Sequence, residues 1–167
     1  MYVPFESLPG TARLWIYQAD KRFTTAGKNI ISDTLRAFVE GWMVHGQPMQ
    51  ASFDIRYDQF VLLAADEDVN AASGCSIDSS VRVIRDLGES LSTDFFNRNN
   101  IAFRIKDETI LLTLPELKRK SEEGYWKGET LMFNNLVTKK EDLQKSWLVS
   151  SGTTWLSRYL PKETISG

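Results

Sequence analysis

The stretch ASFDIRYDQFVLLAA, residues 51–65, decides the fold. Its first half alternates. Ala51, Phe53, Ile55 and Tyr57 point one way, and Ser52, Asp54, Arg56 and Asp58 point the other. That is the signature of a half-buried strand at a sheet edge. A tight turn at Asp58-Gln59 follows. The second half, 60–65, is a continuous apolar run, which marks a central strand covered on both faces.

Working outward, residues 12–19 carry Leu14, Trp15, Ile16 and Tyr17 in succession, a second central strand. Thr24 and Thr25 are N-cap residues for a helix whose apolar stripe is Ile31, Leu35, Phe38, Val39 and Trp42, stopped by Gly46 and Pro48. Beyond a polar loop at 66–74, a second helix over about 76–91 has the stripe Ile77, Val81, Ile84, Leu87 and Leu91. Residues 101–105 alternate again as an edge strand. The order is strand, helix, strand, strand, helix, strand. It predicts an α+β fold with the ferredoxin-like βαββαβ topology.

The reading is of a single domain over 1–167, with a core at about 12–106 and a C-terminal α/β extension at about 107–167. In the extension, 109–114 reads as a strand turned back through Asp107-Glu108. Pro115 opens a short helix to Gly124, and 131–137 fits a strand or a buried helix, with the strand favoured. Thr138 with Glu141 matches a capping box for a helix to about Leu148. The doubly apolar central strands need a cover on the face away from the helices. The extension or a second copy of the chain, a homodimer, would supply it.

Composition narrows the function. The 167 residues carry a net charge of −2, and the pI is about 5.5, which argues against a nucleic-acid partner. No run is long and apolar enough for membrane insertion, and the first residues lack the pattern of a secretory leader. With the one cysteine, Cys75, this makes the cytoplasm the expected compartment. One histidine and one cysteine cannot build a Cys/His metal site, so no cofactor is expected.

The string Ser73-Gly74-Cys75-Ser76-Ile77-Asp78 places small hydroxyl residues, a glycine and the only thiol at a helix start. Free N–H groups there bind anions, and the helix dipole activates a thiol. The plainer reading is capping by Ser76, with Cys75 as a small packed residue. The ferredoxin-like reading puts the loop after the first strand at the same end of the sheet. Asp20, Lys21 and Arg22 would then join Asn70, Ser73, Gly74, Cys75 and Ser76 around a small anionic ligand. The favoured function is a non-catalytic module binding such a ligand or a protein partner. The alternative is an enzyme with Cys75 as nucleophile, assisted by Asp78, Asp20 or Arg22. Parallel helices would hold His45 about a helix length from Cys75 and rule out a dyad.

Val3-Pro4-Phe5-Glu6-Ser7-Leu8-Pro9, Gly46-Gln47-Pro48 and the Ser73–Asp78 string together make the chain resemble an uncharacterised bacterial family, over nearly its whole length. Members of that family often carry the label "ABC transporter ATPase". The residues offer no P-loop for it. Gly27-Lys28 is followed by Asn29, and Arg22 stands where the first glycine belongs. The resemblance implies no site residues.

Overall fold

The computed structural model describes residues 1–68 and 70–162. It is a mixed helix and sheet protein built from open antiparallel sheets, in two compact units. The first unit comprises 1–97 and 135–145, and the second comprises 98–134 and 146–167. No helix among the described residues is long and apolar enough to cross a membrane.

The first unit opens with a short 3-10 turn at Phe5–Ser7 and then β1, Arg13–Gln18. Helix α1 is Thr25–Glu40, with the Thr24 hydroxyl accepting the Gly27 N–H at 2.9 Å. A small hairpin follows, β2 at Met43–Val44 and β3 at Gln47–Pro48. His45 and Gly46 occupy its turn at positive φ. The sequence reading ran α1 on to Gly46; the chain leaves the helix at Gly41 instead. β4 is Ala51–Arg56, β5 is Phe60–Ala65 and α2 is Gly74–Leu91.

β5 is the middle strand, with β1 antiparallel on one side and β4 on the other. Its alternate residues face two cores. Val61, Leu63 and Ala65 pack with Ile31, Leu35 and Val39 of α1 and with Ile84 and Leu87 of α2. Phe60, Leu62 and Ala64 face the other way and are also fully buried. Parts of the N-terminal segment and of residues 135–140 lie on this second side. The Arg56 guanidinium sits 5.6 Å over the Phe5 ring, and Asn135 Nδ2 donates to Gln18 Oε1 at 2.9 Å. Lys140 Nζ donates to the Leu8 carbonyl at 2.7 Å, tying the C-terminal segment to the N-terminal one.

The first three strands of the sequence reading stand in the expected order, but the first and third run antiparallel, where the reading had put the loops that follow them at one end of the sheet. The fourth does not join them. β6, Asn100–Ile105, pairs with β7, Glu108–Thr113, through a two-residue turn. The turn forms because Lys106 and Asp107 both take positive φ, the geometry that suits strand twist. The place beside β1 goes to residues 138–140. Leu14 N–H donates to Thr138 O at 2.8 Å, and Lys140 N–H to Ala12 O at 2.9 Å. A backbone committed to that extended pairing cannot start a helix at Thr138. The expected helix over 138–148 is therefore only one wide turn, Leu143–Trp147.

In the second unit, β6 also pairs with β8, Leu131–Phe133, which pairs with β9, Leu148–Ser150. Its core gathers Phe103, Leu112, Leu117, Trp126, Met132 and Leu156 around α3, Leu117–Glu122. The buried Trp126 donates its indole N–H to Leu117 O at 2.8 Å.

One glycine is fixed by close approach. A Cβ on Gly88 would stand 2.6 Å from the Thr93 carbonyl oxygen, where the chain folds back under α2. Thr93 N–H donates to Gly88 O at 2.8 Å in the same contact. We expect Gly88→Ala to lower stability by about 1–3 kcal/mol, since backbone must move. Urea unfolding measures it, and an unchanged midpoint would show that this turn is not as described.

Candidate functional site

The two segments of the expected anion site lie at opposite ends of the sheet. β1 and β5 are antiparallel, with Gln18 opposite Phe60 and Arg13 opposite Ala65. The loop after β1 therefore leaves from the Gln18 end, and the loop after β5 from the Arg13 end. In this strand order two antiparallel neighbours each lead into a helix, so the two loops cannot share an edge. α2 spans the gap, and its 18 residues measure about 27 Å.

Asp20, Lys21 and Arg22 sit near the C-terminal end of α2. Asp20 N–H donates to Asp94 O, and Asp94 N–H donates to Asp20 Oδ1, both at 3.0 Å. Arg22 turns to the β4–β5 turn, 3.7 Å from Asp58 Oδ2, and Lys28 Nζ reaches Asp58 Oδ1 at 2.9 Å. Lys21 is exposed. Asn70, Ser73, Gly74, Cys75 and Ser76 stay at the other end. The composite site of Asp20, Lys21 and Arg22 with the Ser73–Ser76 string is thus not assembled.

What remains at the start of α2 is a cap. Ser73 Oγ accepts the Ser76 N–H at 3.2 Å, and Ser76 Oγ accepts the Ser73 N–H at 2.7 Å. The N-cap is Ser73 rather than Ser76. Glu67 Oε2 accepts the Ala72 N–H at 2.5 Å, so the chain's own carboxylate already stands beside the helix start. A Cβ on Gly74 would meet nothing within 4 Å, so this glycine is not required by close packing. Cys75 and Asp78 are both exposed.

The helix-length separation of His45 from Cys75 also fails. α1 and α2 run antiparallel, so the end of one meets the start of the other. Trp42 at the end of α1 donates its indole N–H to Ser76 O at 2.9 Å. His45 is exposed on the β2–β3 turn, and β2 packs beside α2. No hydrogen bond joins His45 to Cys75. The hydrogen bond at Cys75 is from Ser79 Oγ to its carbonyl, at 3.0 Å.

A cleft of about 490 Å³ lies instead at the far end of α2, among Asp20, Arg85, Glu89, Asp94, Phe95 and Phe96. Phe95 is buried and packs 5.9 Å from Phe23. Phe96 is 39% exposed. Its ring meets Tyr17 edge-on at 5.9 Å and lies 5.1 Å below the Arg85 guanidinium. Its N–H donates to Asp94 Oδ1 at 2.8 Å, which fixes the turn that presents it. Burial pushes the Tyr17 phenol up, and a hydrogen bond with Ser80 pulls it partly back. No group of three His, Cys, Asp or Glu side chains among the described residues is placed to hold a metal ion. Of the cleft residues, the sequence reading had named only Asp20. Asp94-Phe95-Phe96 follows α2 directly, and two adjacent aromatics after an acidic residue were the available signal.

The ion-pair cluster at Asp58 gives a pH prediction. A hydrogen bond from Lys28, helped by the charges of Lys28 and Arg22, holds the Asp58 carboxyl below its ordinary range. A lowered folded-state pKa stabilises the fold above the ordinary aspartate range, and this is lost as pH falls through the lowered value. The pair is well exposed, so Asp58→Asn should cost under about 1 kcal/mol at neutral pH. Urea midpoints of the two proteins should converge in acid and in high salt. A difference that grows in acid would contradict the assignment.

Comparison of the chain with protein-family models, curated proteins and solved structures gave no match.

Proposed function

We propose that the first unit is a non-catalytic binding module whose seat is the cleft at the C-terminal end of α2. The observation that carries this reading is Phe96, whose ring lies against Tyr17 and Arg85, whose backbone N–H is taken by Asp94, and which is left 39% exposed. A packed, half-exposed aromatic in a concave surface suits the anchoring of a partner's side chain.

The cleft's charge favours a cationic partner over the anion expected from sequence. Asp20, Glu89 and Asp94 outnumber Arg85 in its lining. The adjacent helix end carries partial negative charge, and α2 has no basic residue in its last turn to offset it. A peptide segment presenting lysine or arginine beside an apolar side chain fits both the ring and the carboxylates. Among the described residues no hydrogen bond joins Cys75 to His45, so the alternative reading of Cys75 as a nucleophile has less support than the cleft.

The test is an NMR titration of the whole chain with two probes, a lysine-containing apolar peptide and inorganic phosphate. The peptide should shift signals of Phe96, Glu89 and Asp94, and Phe96→Ala should weaken its binding about tenfold or more. Phosphate should leave the cleft unchanged. Phosphate shifts centred on Ser73 to Ser76, with none at Phe96 from the peptide, would overturn the reading.

A further inference from the structure

In the second unit, one edge strand of the sheet has no strand paired to its outer side among the described residues. β7, Glu108–Thr113, lies at one edge of the order β7-β6-β8-β9. Which of its backbone groups face outward follows from the β6–β7 register. The two-residue turn makes Ile105 and Glu108 a hydrogen-bonded pair, and pairs alternate from there. Glu108, Ile110 and Leu112 therefore bond to β6, while Thr109, Leu111 and Thr113 turn outward. Two contacts agree with this parity. Leu114 N–H donates to Asn99 O at 3.2 Å, and the outward Thr113 N–H is taken by Glu116 Oε2 at 3.0 Å. The N–H and C=O of Thr109 and of Leu111 have no partner among the described residues, four groups in a row.

Edges of this length are normally blunted by a charge, a proline or a bulge. The edge strand β4 of the first unit is blunted in that way: Asp54 Oδ1 accepts the Ile55 N–H at 2.9 Å, and its other oxygen binds Arg56. The far edge of the second sheet, β9, is only three residues long. From Thr109 to Thr113, β7 has no charge or proline, and it pairs with β6 residue for residue without a bulge.

We propose that β7 pairs antiparallel with β7 of a second copy of this chain, about a two-fold axis beside Ile110. In that register Thr109 faces the partner's Leu111, and Leu111 faces the partner's Thr109. Each pair exchanges two hydrogen bonds, so all four open groups of each copy are satisfied at once. Ile110 meets the partner's Ile110 on the face of the sheet that carries Phe103 and Leu112, which extends the core across the axis. Glu108 falls opposite the partner's Leu112, so no like charges are brought face to face. An isologous contact of this kind uses the β7 edge of both copies and closes at two, leaving only the three-residue β9 edges.

Sedimentation of the full chain over a concentration series tests it. The expected result is a reversible monomer–dimer equilibrium. Leu111→Pro removes an outward N–H and leaves the β6 bonds in place, so it should give a monomer with an unchanged circular dichroism spectrum. Should that variant fail to fold, amide exchange in the unaltered chain decides the matter. Thr109 and Leu111 should exchange about tenfold or more slowly at concentrations where the dimer forms. A monomer at every concentration, a dimer that survives Leu111→Pro, or exchange at Thr109 and Leu111 that ignores concentration would each overturn the proposal.

Discussion

The first unit depends on the antiparallel pairing of β5 between β1 and β4. β5 is the one strand that contributes side chains to two fully buried faces, and its six residues have almost no exposed surface. Burying one such side chain is worth about 1.5–3 kcal/mol, so a register slip that exchanged the faces would disturb both cores together. The direction of that pairing also sets where every loop emerges. It sends the loop after β1 and the loop after β5 to opposite ends, runs α1 and α2 antiparallel, and places Trp42 against Ser76. The cleft at Phe96 and the cap at Ser73 are consequences of one strand direction.

Much of this was legible in the residues. The alternation of 51–57 and the apolar run of 60–65 marked an edge strand and a central strand, and the sheet has them in those places. The stripes Ile31, Leu35, Val39 and Ile84, Leu87 named the buried faces of both helices. The misplacements have physical causes. Residues 101–105 look the same whether they pair with β1 or with β7, because alternation reports burial and not the partner. Two positive-φ residues at 106 and 107 decided the matter, and neither is a glycine. Thr138 and Glu141 carry a capping-box pattern, yet the open edge of β1 takes the 138–140 backbone first. A local helix signal lost to a long-range ladder.

The site was less legible than the fold. The string at Ser73 attracts notice because it holds the only thiol, but its hydroxyls are spent on each other and on the helix start. Phe96 escaped notice because an aromatic after a helix usually packs inward, as its neighbour Phe95 does. What separates the two rings is the turn at Asp94, whose carboxylate takes the Phe96 N–H while its backbone is pinned to Asp20. Such a contact joins residues 74 positions apart and leaves no trace in local spacing.

The single cysteine, exposed at the start of α2, permits a direct test of strand direction. A nitroxide attached to Cys75 broadens the amide signals of residues near it. The account predicts strong broadening of Trp42 and Val44, at the end of α1 and in β2, while Lys21, Arg22 and Asp94 keep most of their intensity. Broadening of Lys21 and Arg22 with Trp42 left sharp would mean that the two loops share one end of the sheet, and the antiparallel account would be wrong.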